Sequence, residues 1–326
     1  MSPTPSKSIL WVTDAWDTLD HKQDSTIRLA QETILQGQRS FWCNSKDISV
    51  RNSKVIIEAK QLIEILPERN CGDIKRGASS LYSPSDFYTI HYRADPPVDL
   101  SYIHPLQILW SFTRSSKQTE VVNPISALLL MGEKIEPLNI PGLSPPCVVS
   151  SNWDILLNFG KKIKRTVLKP LNSAQSKGVE KIDWSSPSEL DRAKILIESA
   201  TDHFKIPVLL QRFQPEIVDG EYRFWFLDGK FLASIQKLPI PGDFRVNHDR
   251  GSQVRFKAPG AREKKAINVI GRHLSELKIR LAAVDMIGGF VTDFNFTSPG
   301  LLTVMEDVLH TNLAKSIVQK LKKRWQ

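Results

Sequence analysis

Apolar and polar positions follow two periods along this chain, and the switches between them mark its elements. Residues 8–13 (SILWVT) form an unbroken apolar run and read as a buried strand. Asp24, Ser25 and Thr26 then offer N-capping oxygens to Ile27, Leu29, Ala30, Ile34 and Leu35 at helical spacing, a stripe that Gly37 ends. A second strand follows at 39–43. This strand–helix–strand opening predicts an open α/β region with a parallel sheet. Another strand, 87–92, runs into Ala94-Asp95-Pro96-Pro97, where the prolines stop it. A helix over 106–112 and a short strand at 121–122 close this first region.

From residue 123 the pattern predicts helix 126–135, strand 147–149, helix 153–159, strand 166–169, helix 189–200 and strand 208–212. Strands 222–227 and 230–237 flank Asp228-Gly229, the strongest hairpin signal in the chain. A second hairpin pairs 282–287 with 290–296 across Gly288-Gly289. Val304, Val308, Leu313, Ile317 and Leu321 predict one amphipathic C-terminal helix. No internal repeat interrupts this order.

The second hairpin carries the first candidate chemistry. Alternate strand residues face the same way, so Asp293 and Asn295 project together, and Asp285 reaches the same face across the turn. Oxygen-bearing side chains among Val284, Ile287, Phe290, Val291 and Phe294 suit Mg²⁺, which takes one or two carboxylates plus substrate phosphates. An ordinary solvent face is the alternative. Lys169 ends an apolar strand and Lys134 falls within the predicted helix; by themselves both read as surface lysines. Arg223, inside an aromatic strand, and Arg245, in the loop after Pro241-Gly242, are either stacked side chains or phosphate clamps. GxxxxGK[ST] and GxGxxG are both absent, so a nucleotide here needs another architecture.

Charge and composition narrow the partners. The 326 residues carry a net charge of +9, which suits an anionic ligand. Much of the excess lies in runs (Lys161, Lys162, Lys164 and Arg165; Lys320, Lys322, Lys323 and Arg324) that read as solvated helix faces. Neither zinc-finger spacing nor an aromatic RNA-binding signature accompanies them, so nucleic acid is not an expected partner. No apolar run approaches the ~20 residues that cross a bilayer, and residues 1–8 lack a secretory pattern. A cytoplasmic protein without a membrane partner is expected. Cys43, Cys71 and Cys147 are odd in number and too scattered for a metal or disulfide framework.

Short motifs then recur in a familiar order. Arg93-Ala94-Asp95-Pro96-Pro97-Val98-Asp99 with Tyr102-Ile103 resembles the R-x-DPPFD-x-x-YI segment of bacterial glutathione synthetases, members of the ATP-grasp superfamily. Val122-Asn123-Pro124 with Glu133-Lys134, Leu168-Lys169-Pro170-Leu171, and Gln211-Arg212-Phe213 with Pro215-Glu216-Ile217 resemble their VN-P…NEK, KPL and QRYLPEI. Asp219-Gly220, Arg223 and Asp228-Gly229 resemble DGD-R-DG; Val284 to Gly288 and Asn295 to Pro299 resemble LDVIG and INVTSP. Each match is weak alone; together they run from about residue 14 to the C-terminal helix.

The resemblance implies an N-terminal open α/β domain over 1–122 on the substrate side. An ATP-grasp domain of two α+β subdomains follows over 123–326, with 147–210 as the smaller lid. It implies that Lys134 and Lys169 contact ATP phosphates, that Gln211, Arg212 and Phe213 meet adenine through their backbone, and that Glu221 meets the ribose. Asp285, Asp293 and Asn295 would hold Mg²⁺, with Mn²⁺ as an alternative. Arg223 and Arg245 would steady the transferred phosphate. Arg93, Ser25, Asn295 and Ser298 would line the side that takes a dipeptide and an amino acid. The implied activity is ATP-dependent carboxylate–amine ligation through an acyl phosphate, in a homo-oligomer, tetramer or dimer.

Four departures qualify it. The flap that follows KPL keeps one glycine in Asn172-Ser173-Ala174-Gln175-Ser176-Lys177-Gly178, so backbone approach to phosphates is less free. The loop Arg245 to Gly251 has lost paired glycines. Asp293 replaces a glutamate, and Gly300-Leu301-Leu302 replaces a polar segment beside the amino acid pocket. An impaired relative that binds nucleotide or a partner protein is therefore the second expectation.

Overall fold

The computed structural model describes residues 8–66, 73–114, 119–246 and 251–322. Cys71, Lys323, Arg324 and the middle of the 245–251 loop lie outside them.

A seven-stranded sheet opens the chain. It contains β1 (Ser8–Thr13), β2 (Arg39–Asn44), β3 (Ile48–Arg51), β4 (Lys54–Ile65), β5 (Ile74–Tyr82), β6 (Thr89–Tyr92) and β7 (Glu120–Val122), with α1 (Ser25–Leu35) and α2 (Leu100–Thr113) between strands. The order is β3-β4-β2-β1-β6-β7, with β5 also on β4. The expected parallel core is present: β1 pairs in parallel with β2 and β6, and β6 with β7. Asp24 caps α1 as its sequence implies, its Oδ1 accepting from Thr26 N at 2.7 Å and Ile27 N at 2.9 Å. The long antiparallel hairpin β4–β5 was not anticipated. Val55, Ile57, Ala59 and Leu62 of β4 are buried, whereas β5 is mostly exposed and polar, so its periodicity is weak.

After α3 (Ile125–Leu130) comes an antiparallel four-stranded sheet of β8 (Cys147–Ser150), β9 (Arg165–Pro170), β10 (Glu180–Asp183) and β11 (Val208–Arg212), ordered β10-β9-β11-β8. α4 (Trp153–Ile163) and α5 (Pro187–Ala200) cover it and close a separate core around Leu156, Leu168, Ile182, Trp184, Ile197 and Leu210.

The third sheet runs β14-β13-β12-β15-β16, with β12 (Glu221–Leu227), β13 (Lys230–Leu238), β14 (Gln253–Arg255), β15 (Leu281–Ile287) and β16 (Phe290–Asn295). α6 (Ala261–Glu276), α7 (Leu302–Leu309) and α8 (Leu313–Leu321) accompany it. Both predicted hairpins form here.

Two helix expectations are corrected. α3 stops at Leu130, because Glu133 is captured by β16: its backbone oxygen accepts from Phe294 N at 3.0 Å, and its carboxylate from Phe296 N at 2.7 Å. Lys134 therefore stands in a turn, not in a helix. The C-terminal stripe is two helices. His310 turns left-handed at φ 50°, and Asn312 caps α8 by accepting from Lys315 N at 2.8 Å.

Candidate active site

The strand faces of β12, β13, β15 and β16 converge on a cavity of about 470 Å³ between the first and third sheets. Arg223, Glu221, Lys237, Asp285, Asp293 and Asn295 form its charged floor. Register explains the convergence: Arg223 pairs with Asp285, and Asp285 pairs with Asp293 on its other side. Arg223 donates to both Asp285 oxygens, at 2.8 and 2.7 Å, and Asn295 Nδ2 approaches Asp285 Oδ2 at 3.3 Å. Lys237 Nζ lies 2.5 Å from Glu221 Oε2 and 3.4 Å from Asp285 Oδ1. Burial works to raise Asp285, but the Arg223 and Lys237 cations overcome it and hold the carboxyl well below the usual range. Burial raises Glu221 despite Lys237.

Lys134 and Lys169 do not line the cavity; both stand behind Asp293 and act on its charge. Lys169 Nζ donates to the Thr292 carbonyl at 2.9 Å, and Lys134 Nζ donates to the carbonyl of Ser173 in the flap. Burial lowers Lys169, opposed by Asp293 and Glu221. Burial raises Asp293, opposed by Lys134 and Lys169. Glu133, which also accepts from Thr297 N at 2.8 Å, is pushed up to about 7 by burial and by Asp293.

On the first-sheet side, Arg93 is buried and donates through Nε to Thr26 Oγ1 at 2.9 Å and through Nη2 to the Pro299 carbonyl at 2.8 Å. Ser25 Oγ accepts from Leu302 N at 3.0 Å, and Ser298 hydrogen-bonds Asp95. The flap residues Ser173, Ala174, Gln175 and Ser176 roof the cavity.

Not every anticipated residue arrives. Arg245 is drawn onto Asp243, at 3.1 Å, and its own neighbour Phe244, and among the described residues of that loop Val246 alone lines the cavity. Gln211, Arg212 and Phe213 lie outside the cavity lining. The amides of Arg212 and Phe213 donate to the Pro146 and Arg165 carbonyls, so they are not free for a base. Phe213 instead carries Lys181 Nζ 4.2 Å from its ring centroid. Sequence reasoning missed Lys237 and Glu133. Lys237 had only a period-two position on β13 as its signal, and Glu133 only its place before Lys134.

The divalent-ion expectation can be tested on the donors. Asp293 Oδ1 is buried without a hydrogen-bond partner, which fits a cation. Asn295 adds a carbonyl oxygen beside it. Both Asp285 oxygens are already engaged by cations, so Asp285 is the least available of the three. No group of three or more His, Cys, Asp or Glu is arranged to hold a metal among the described residues, so most of the shell of such an ion would come from water and phosphate oxygens.

Opposed carboxylates and ammonium groups on an antiparallel sheet, roofed by a flap from a second small sheet, define the ATP-grasp class. Solved structures agree on the fold. A D-cycloserine synthetase superposes with TM-score 0.65 at 17% identity, covering 96% of this chain and 98% of that one. A RimK-domain ATP-grasp protein from Sphaerobacter thermophilus superposes with TM-score 0.62 at 13% identity, covering 95% and 98%. The chain itself belongs to the prokaryotic glutathione synthetase family: the model of that family's N-terminal domain matches residues 8–128, and that of its ATP-grasp domain residues 133–310. A glutathione synthetase of Prochlorococcus marinus subsp. pastoris is 27% identical over 96% of this chain and 98% of its own length. One from Parasynechococcus marenigrum is 28% identical, with 96% and 98% covered. Family membership implies use of ATP and a divalent metal. No helix among the described residues is long and apolar enough to cross a membrane.

Proposed function

We propose that the protein joins a peptide-like carboxylate donor to the amine of a small amino acid, using ATP with Mg²⁺, for which Mn²⁺ can substitute. The observation that carries this reading is the orphaned Asp293 Oδ1, which lies beside Lys134 and Lys169 and borders the same cavity as Arg223 and Arg93. Asp293 and Asn295 would hold the ion, which supplies neutralisation of phosphate charge when bound. Lys134 and Lys169 bind the phosphates, and Lys134 must exchange the Ser173 carbonyl for one. Arg223 offsets charge as the γ-phosphate passes to the donor carboxylate. The amine then attacks the acyl carbon, the C–O bond to phosphate breaks, and inorganic phosphate leaves as the amide forms. No side chain need act as nucleophile; the residues position and neutralise.

In this reading 1–122 is the substrate-side domain and 147–210 the lid of the 123–326 domain, with Gln211 to Phe213 at their hinge. Glu221 reaches the ribose only by leaving Lys237. The family resemblance favours a cytoplasmic homo-oligomer. Arg245 held away from the cavity, and the occupied hinge amides, favour the second reading, an impaired nucleotide-binding relative. Phosphate release from ATP with γ-glutamylcysteine and an amino acid panel separates the two, alongside calorimetry of nucleotide binding. Lys169→Ala should weaken nucleotide binding at least tenfold, in line with a lost charged hydrogen bond of about 1.5–3 kcal/mol. Unchanged affinity removes Lys169 from the site.

A further inference from the structure

Helix α2 is apolar on both of its faces. Tyr102, Leu106 and Leu109 are buried in the core beneath the first sheet. The opposite face carries Leu100, Ile103, Gln107 and Trp110, spaced three, four and three residues apart, which is the seam spacing of a helix that packs on another helix. Leu100 is 64% and Trp110 46% exposed; Gln107 is exposed and Ile103 half-buried. A helix that is apolar all round is ordinarily covered all round.

Charge singles out the same place. A net charge of +9 opposes contact between copies over most of the surface. Among the described residues, α2 and α3 are the two α-helices without an Asp, Glu, Lys or Arg, and they pack on each other. α3 ends in Leu130, which is 84% exposed. The charges of α2 stand just beyond its ends. Asp99 caps the N-terminus, accepting from Ser101 N at 2.8 Å, and Arg114 closes the C-terminus; both are exposed. A second copy laid antiparallel therefore brings Asp99 toward the second copy's Arg114. The same alignment sets Leu100 opposite Trp110 of that copy and Ile103 opposite Gln107. Any other partner would need an uncharged face with the same opposed charges at its ends, whereas a second copy supplies one by symmetry.

We propose that two copies of this chain meet through the α2–α3 face, α2 against α2 and antiparallel about a twofold axis. This names the surface for the homo-oligomer in the reading above and does not depend on the ligase chemistry. α2 is about 21 Å long. With α3 beside it the face falls at the small end of specific interfaces, at or below about 800 Å² per partner, so the dimer should dissociate in the micromolar range.

Sedimentation equilibrium of the full chain from about 1 to about 100 μM tests this. Leu100→Glu puts an acid in the first turn of α2 and Trp110→Lys a cation in its last, both favoured by the helix dipole, so the helix should persist; circular-dichroism melts verify it. Each substitution alone should weaken association at least tenfold, as loss of a central apolar anchor does. An equal mixture of the two variants should associate a few-fold more tightly than either alone. In the mixed dimer the new acid faces the new ammonium, and the other Leu100–Trp110 contact is native. A chain that stays monomeric to about 100 μM overturns the proposal and the homo-oligomer reading together. An oligomer that neither substitution weakens overturns the proposal alone, and so does a mixture no tighter than its components. Wild type that floats with phosphatidylcholine vesicles while both variants stay behind would give the face to a lipid surface and overturn it as well.

Discussion

Lys237 offers the sharpest quantitative test of the charged floor. It is 4% exposed, 2.5 Å from Glu221 and 3.4 Å from Asp285. Replacing it with methionine keeps the stem and removes the charge. Asp285 retains Arg223 through two hydrogen bonds at 2.8 and 2.7 Å. Glu221, 8% exposed, is left with Thr292 Oγ1 at 3.1 Å. Removing one partner of a buried pair costs about 3–5 kcal/mol, because the other charge remains desolvated. At about 2 °C per kcal/mol for a chain of this size, Lys237→Met should melt roughly 6 to 10 °C below wild type at pH 7. Adding Glu221→Gln, which still accepts from Thr292, should restore more than half of the loss. Circular-dichroism melts of wild type, both single variants and the double variant provide the cycle. A single variant within about 2 °C of wild type, or a double variant melting no higher than the single, refutes the reasoning.

Three further outcomes follow from particular contacts. His91 is 1% exposed, stacked on Trp11 at 4.4 Å, and held well below its ordinary range by burial, with Arg93 and Arg280 adding to it. Its folded value is depressed, so its contribution is complete above the unfolded value near 6.5 and is lost as pH falls below that, at about 1.4 kcal/mol per pH unit; His91→Phe should lack this slope, and parallel stability curves between pH 6.5 and 5 would contradict it. A Cβ at Gly160 overlaps the Trp184 indole, whose Nε1 donates to Thr166 Oγ1 at 2.8 Å. Overpacking of about 1–3 kcal/mol should outweigh the helix-propensity gain of about 1 kcal/mol, so a Gly160→Ala variant melting above wild type would count against that packing. Lys134→Met frees the Ser173 carbonyl, and losing a charged hydrogen bond of about 1.5–3 kcal/mol should speed tryptic cleavage after Lys177 at least tenfold; an unchanged rate would mean that Lys134 does not hold the flap.

Much of the site was readable because its cause is local. Strand alternation puts Asp285, Asp293 and Asn295 on one face whatever surrounds them, and Asp228-Gly229 makes its hairpin from its own backbone preferences. The same locality explains the Asp24 cap and the first strand–helix–strand unit. What the sequence alone left undecided depends on partners far along the chain. The predicted helix over 126–135 gave way at Leu130 because Glu133 meets β16, some 160 residues later. The C-terminal stripe broke where Asn312 could cap a new helix and Glu306 could accept from Ala314 N at 2.7 Å and from Arg28 Nε at 2.7 Å. Arg245 was drawn to Asp243 rather than to the cavity, and Lys237 became a floor cation only because β12 and β15 bring two carboxylates to it. Dihedral preference and side-chain period act over a few residues and are written in the sequence. Which charges are desolvated together, and which neighbour neutralises each one, is decided only when the sheets close on one another.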